Sequence, residues 1–348
     1  METFNDLDES DTEIAAEETL RAQDIREVPV NLLNVYEFSK NEIAIIQFLT
    51  DNNIFPREKN CSKCGTPMKF YRFTRTRNNK EQENSSWRCR AYIQKPKKKR
   101  QNCNYSESFR FGSVFEGSKL PLAKFLIMSY MVLNNWETEK IMWEMQTTRS
   151  VVKRWQRYMR NVILQWFERT AQPLGGPGKF VEVTEGKFEE RKTKTRPAGK
   201  QWVFAVFERE TSRVLLVPVE LREAQLVPLI ETWILPETMV ISECWKSYFA
   251  NNQLGYLHLT DNHHLIFEDH ETGTHLRSSK DLRVTLPKNN RKFRGSCLGH
   301  IALHVFLKWC VATGKEPFFE FWKIVGESPV TPFITISSDS ESGSDDGE

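Results

Sequence analysis

The chain has 348 residues, 39% of them hydrophobic with 10 Trp and 23 Phe, the composition of a globular protein large enough for more than one core. Its net charge of +3 conceals ten acids against Arg21 and Arg26 over residues 1–27, and five acids with no base over 337–348, so the body between carries +16. A basic body with acidic arms favours a polyanionic partner such as DNA. No apolar run approaches the roughly 18 residues of a membrane span, and the acidic start is not a secretory leader, so a soluble intracellular protein without a membrane partner is expected.

Residues 1–27 are acidic and without sustained periodicity, and read as a disordered tail. Residues 38–55 predict an amphipathic helix capped by Ser39, with Ile43, Ile46, Phe48 and Leu49 as its apolar stripe. The seven cysteines are an odd number, which argues against a disulfide framework in an intracellular chain. Four of them form a pattern, "CSKC" at 61–64 followed by Cys89 and Cys103. Two thiolates spaced C-x2-C with two later ones close a tetrahedral structural zinc site, and Gly65 allows the knuckle turn. Helix and ribbon together predict a first domain over 28–118. Between Cys89 and Cys103 the run "KPKKKR" (95–100) reads as a loop out of the ribbon. Its Lys97, Lys98, Lys99 and Arg100 suit phosphate contact and nuclear import.

Residues 119–170 predict a helical domain. Within it, 138–145 and 150–167 are two helices joined through a turn with Thr148 as N-cap. Val152, Trp155, Met159, Val162 and Trp166 make a core stripe, and Arg149, Lys153, Arg154, Arg157 and Arg160 are set apart from it. A basic second helix suggests a helix-turn-helix that contacts DNA. Residues 171–179, "AQPLGGPGK", read as a linker. Beyond it, strands at 180–183, 201–208, 213–220 and 238–242 alternate with helices at 222–234 and 297–313, which predicts an α/β domain on a mixed sheet over 180–328. The last stretch, 329–348, is an acidic tail. Its Phe333, Ile334 and Ile336 followed by Ser and acids look like a SUMO-interaction motif, implying SUMO or SUMOylated chromatin proteins as partners.

Several blocks occur together in order: "CSKC…WRCR…C…FGSVFEGSKLPL", "VEVTEGKFEERK", "QWVFAVFERETSRVLLVPVE", "ILPETMVISECWKSY" and "LGYLHLTDNH…DHETGTH". Over roughly residues 38–312 they resemble the Merlin superfamily of cut-and-paste transposases and their bacterial insertion-sequence relatives. The resemblance implies a zinc ribbon, a helix-turn-helix and a ribonuclease-H-like domain in which three carboxylates hold two Mg2+ ions. The three carboxylate positions here are Thr184, Glu243 and Lys280. Thr184 carries no charge, Glu243 is a methylene longer than the expected Asp, and Lys280 opposes a cation. Glu182 lies on Thr184's strand face but about 7 Å away, and Glu185 points to the opposite face.

The expectation is therefore a DNA-binding, chromatin-associated nuclear pseudoenzyme with structural zinc and no magnesium. The competing expectations are an active transposase or nuclease using Glu243, Asp281 and Glu182 or Glu185, and a protein scaffold without DNA affinity. Homodimerisation is left open.

Overall fold

The computed structural model describes residues 12–13, 29–77, 80–93, 101–189, 200–211, 213–219, 226–243, 256–261 and 297–335. It is mixed α/β, and the chain falls into two compact units, residues 1–158 with 322–348 and residues 159–321. The segments expected as separate domains at 28–118 and 119–170 share the first unit as far as Tyr158, and residues 159–170 belong to the second.

The first unit starts with two short helices, α1 (Leu32–Ser39) and α2 (Glu42–Asp51), where the sequence suggested one. Asn31 and Asn41 cap them, their side chains accepting from the backbone N–H of Asn34 at 2.8 Å and Ala44 at 3.1 Å. Ser39 ends α1 and is not a cap; its hydroxyl donates to the Tyr36 carbonyl at 2.7 Å. The break turns the apolar stripe, so Ala44, Ile45, Phe48 and Leu49 are buried while Ile43 and Ile46 are half-exposed.

A four-stranded antiparallel sheet follows, ordered β1 (Thr12–Glu13), β2 (Lys69–Arg77), β3 (Lys80–Arg88), β6 (Ser106–Ser108). A separate two-stranded ribbon pairs β4 (Tyr92–Ile93) with β5 (Gln101–Asn102). Helices α3 (Leu122–Leu133), α4 (Thr138–Glu144) and α5 (Arg149–Thr170) come next, and α5 continues into the second unit. Trp155 of α5 anchors this packing: its ring lies 4.7 Å from Phe125 and 5.0 Å from Tyr158, and its N–H donates to Ser129 at 3.1 Å.

The C-terminal part of the chain supplies the rest of this core, which the sequence did not reveal. Helix α8 (Pro317–Glu327) brings Trp322 within 6.0 Å of Trp155, centroid to centroid. Phe333 is buried beside Phe125, and its N–H donates to the Val114 carbonyl at 3.0 Å. Residues 333–335 form a 3-10 turn; of the three residues of that motif Phe333 is buried, Ile334 is exposed, and Ile336 lies outside the described residues.

The second unit is built on a five-stranded mixed sheet, ordered β10 (Val214–Val219), β9 (Lys200–Glu208), β8 (Phe180–Glu189), β12 (Met239–Glu243), β13 (Leu257–Asp261). The first three are antiparallel; β12 runs parallel to β8, and β13 parallel to β12. One face carries Val181, Val183, Phe204, Val206 and Val240 into a core with Ile230 and Ile234. Ile230 comes from α6 (Leu226–Trp233), whose Pro228 sits in the first turn, where a missing N–H costs no helical bond. The opposite face places Glu182, Val203, Ala205 and Ile241 out of water as well, and α7 (Cys297–Ala312) packs against β10.

Residues 171–179 are not a linker. Leu174 and Gly175 form β7, which pairs in parallel with β11 (Ile234–Leu235), and Leu174 is buried in the core. Gly175 N–H donates to Glu208 at 2.7 Å and Gly176 N–H to Thr238 at 2.8 Å. Glycine and proline density marked an irregular backbone, and buried side chains from β9 and the β11–β12 turn satisfy it.

Candidate metal centre and basic surfaces

The four cysteines of the sequence pattern converge. Cys61 follows an isolated bridge between Asn60 and Pro67 that closes the first knuckle. Within it Cys61 N–H donates to Thr66 at 2.9 Å and Gly65 N–H to the Cys61 carbonyl at 2.8 Å, with Gly65 at φ +75°. The second knuckle is closed by Cys89 N–H to Tyr105 and Cys103 N–H to Ala91, both at 2.8 Å. The strands β4 and β5 rise from it, and the basic run 95–100 lies outside the described residues.

All four sulfur atoms lie within 4.8 Å of one another, with Cys64 Sγ 3.4 Å from Cys89 Sγ and Cys61 Sγ 3.7 Å from Cys103 Sγ. A tetrahedral ion with metal–sulfur bonds of about 2.3 Å needs sulfur–sulfur edges of about 3.8 Å. Neither of those two contacts is a disulfide, which would hold the atoms about 2.05 Å apart. Cys61, Cys89 and Cys103 are buried and Cys64 is half-buried. Burial pushes the Cys89 thiol up to about 12 and raises that of Cys103, whereas the Thr66 hydroxyl and backbone bring Cys64 down to about 6. Buried sulfurs this close together cannot all ionise without a cation, which a divalent ion would supply. The group fits a metal ion with every position filled by protein, so the centre is structural in kind.

The basic residues of α5 are less available than their spacing suggested. Arg149 is exposed and paired with Glu139 of α4 at 2.9 Å. Lys153, Arg154, Arg157 and Arg160 are half-buried, and Arg154 Nε is buried without a hydrogen-bond partner among the described residues. The turn before α5 includes Gln146 at φ +45°, and the Thr148 carbonyl accepts from Val152 at 3.2 Å, which puts Thr148 at the helix entry as expected.

A second basic surface was missed. On β2 and β3, Lys69 and Tyr71 face the same way as Arg88, which is the cross-strand partner of Lys69 and lies diagonally across from Tyr71. The Arg88 and Arg90 guanidiniums stand 5.4 Å and 5.6 Å from the Tyr71 ring centroid, within cation–π reach. The alternation in "KFYRFTRTR" was the available signal: Phe70 turns inward against Trp87 at 5.4 Å while Lys69 and Tyr71 turn outward.

At the sheet of the second unit, Val183 pairs with Ser242 in parallel register, so Thr184 and Glu243 are the next residues along two neighbouring strands. Glu243 in turn pairs with Asp261 of β13, an acid the sequence reading did not select. Lys280 and Asp281 lie outside the described residues. Glu182, one of the substitutes considered for Thr184, is 2% exposed and bound by Arg209 Nε at 2.6 Å. That ion pair compensates its charge inside the protein.

The class these features define is a two-unit α/β protein with a group of four cysteines placed to hold a metal ion. No family model matches the chain, and no curated protein is significantly similar to it.

Proposed function

We propose that this chain is a transposase-derived nuclear DNA-binding protein whose cysteine centre holds zinc and whose metal-dependent strand-cleavage chemistry has been lost. The observation that carries the reading is the state of the carboxylate positions. The strand that would bear the first catalytic acid has Thr184 in its place, and the nearest acid on that face of the same strand, Glu182, is committed to Arg209. A site needing three carboxylates around two Mg2+ ions is left without its first ligand. A ribonuclease-H-like domain needs its first strand central in a mixed sheet, and the order β10-β9-β8-β12-β13, with β12 parallel to β8, supports that assignment. The cysteine centre, the Lys69–Tyr71–Arg88–Arg90 surface, the 95–100 run and α5 then serve to hold DNA, with α4 and α5 acting as the helix-turn-helix. Chromatin is the natural setting for such a protein, and any SUMO contact through the tail falls to Ile334 and the residues after it, because Phe333 is buried.

The test is cleavage and retention measured on the same preparation. Incubation with Mg2+ or Mn2+ and duplex DNA is expected to yield no nicks or strand transfer; robust cleavage abolished by Glu243→Gln overturns the proposal in favour of an active nuclease. Retention of duplex DNA is expected to weaken steeply with salt, and Arg88→Gln with Arg90→Gln to reduce the salt slope by about 2. A chain that retains no DNA at low salt is a protein scaffold instead.

A further inference from the structure

The acidic N-terminal arm meets the basic ribbon in a defined register. Strand β1, Thr12 and Glu13, is the outermost strand of the first unit's sheet and pairs antiparallel with β2, Thr12 opposite Arg72 and Glu13 opposite Tyr71. The backbone of residue 13 is therefore the ladder partner of Tyr71, the residue that Arg88 and Arg90 flank. The other edge of β2 is taken by β3 over its whole length, so β1 occupies the edge that β2 has left.

Charge and pairing point the same way. Residues 1–27 carry ten acids against two bases, while β2 alone carries Lys69, Arg72, Arg75 and Arg77. An extended acidic segment adding to the edge of a strand with four bases gains ladder hydrogen bonds and Coulomb attraction at once.

We propose that the N-terminal arm docks on β2 in cis and competes with DNA phosphates for the Tyr71–Arg88–Arg90 surface, so that the chain holds its own nucleic-acid surface partly masked. The inference rests on the DNA-binding reading above. It deepens that reading by giving the acidic arm a place and a job: the arm lowers affinity for polyanions of no particular sequence and yields only to a site that repays its release. Exchange between arm and DNA is a competition between anions for one set of cations, so its size falls as salt screens both.

The experiment uses the full chain. In an antiparallel ladder only alternate residues direct their N–H toward a given neighbour, so Thr12→Pro and Glu13→Pro are made separately; proline removes that donor and disfavours the strand. Hydrogen exchange of the β2 amides facing β1 is expected to accelerate in at least one variant, while the amides of the β2–β3 ladder stay protected. Retention of a mixed-sequence DNA duplex is expected to tighten about tenfold at low salt, with the gain shrinking as salt rises. Glu13→Lys is expected to tighten retention in the same direction without proline in the chain. Unchanged exchange in both proline variants shows that the arm is not docked and overturns the inference. Faster exchange with unchanged DNA affinity shows a docked arm that masks nothing, and overturns it too. If neither the parent nor the variants retain DNA, the DNA-binding reading itself fails, and the exchange result alone decides whether the strand is docked.

Discussion

Glu208 shows how one side chain can hold an irregular segment. It is fully buried and accepts from Gly175 N–H at 2.7 Å, from Thr211 at 2.5 Å and from Lys179 at 3.4 Å. Burial works to raise its pKa, but the hydrogen bonds from Thr211 and Gly175 and the charge of Lys179 outweigh it, and the net shift is downward from the ordinary 4.5. A carboxylate whose folded pKa is depressed contributes stability above its unfolded pKa and loses it as pH falls through the folded value. The second unit is therefore expected to lose stability as pH drops below about 4.5. Glu208→Gln should cost about 1–3 kcal/mol at neutral pH and flatten that acid limb. Denaturant melts of both proteins across this pH range check it; an equally steep acid limb in the variant assigns the effect to another group. Nothing in the sequence around Glu208 marks it, because its partners lie 33 residues back at Gly175 and 29 back at Lys179. The four cysteines were legible for the opposite reason: thiolates at knuckle spacing leave few chemical alternatives.

Among elements, α8 comes very close to the end of α2, at its C-cap Asn52. A Cβ placed on Gly326 would stand 1.6 Å from the Asn52 carbonyl oxygen and 2.8 Å from its carbon, both backbone atoms that cannot swing aside. Gly326→Ala is expected to destabilise the first unit by about 3 kcal/mol or more, read as a shift of its denaturation midpoint. A change below about 0.5 kcal/mol would mean that this helix contact is dispensable. Strands β9, β10 and β12 and helices α4, α5 and α7 could be located from periodicity and composition, since each buries a regular face. The elements that escaped were short or spent on remote partners. Residues 171–179 read as a linker because glycine and proline signal turns equally well when their backbone is buried. Phe333 read as a peptide for a partner, whereas Phe125, Trp155 and Val114 take it up within the first unit. Local composition carries no information about which aromatic cluster a distant phenylalanine will join.

At the scale of the whole molecule, the metal centre is the feature whose removal should separate the two units. The first unit closes a sheet and two knuckles around four sulfurs, whereas the second contains none of the four cysteines. Chelation, or Cys89→Ser, is expected to strip a single equivalent of metal and unfold the first unit's ribbon while the second unit's transition stays in place. Small zinc modules draw about 10 kcal/mol from their ion, so the effect should be large. Metal analysis with calorimetry on the parent and the variant reads both parts; a parent chain that purifies without metal yet melts unchanged after chelation removes the centre from the account. By itself the sequence determined the charge division into basic body and acidic arms, the four-cysteine pattern, and many of the regular helices and strands. These are matters of residue type and near spacing, which chemistry reads directly. Only the tertiary structure decided that Trp322 and Phe333 complete the core of the first unit, that Glu182 is paired with Arg209, and that β1 lies along β2. Each depends on partners from 27 to more than 200 residues apart, brought together by burial and register and not by any local pattern.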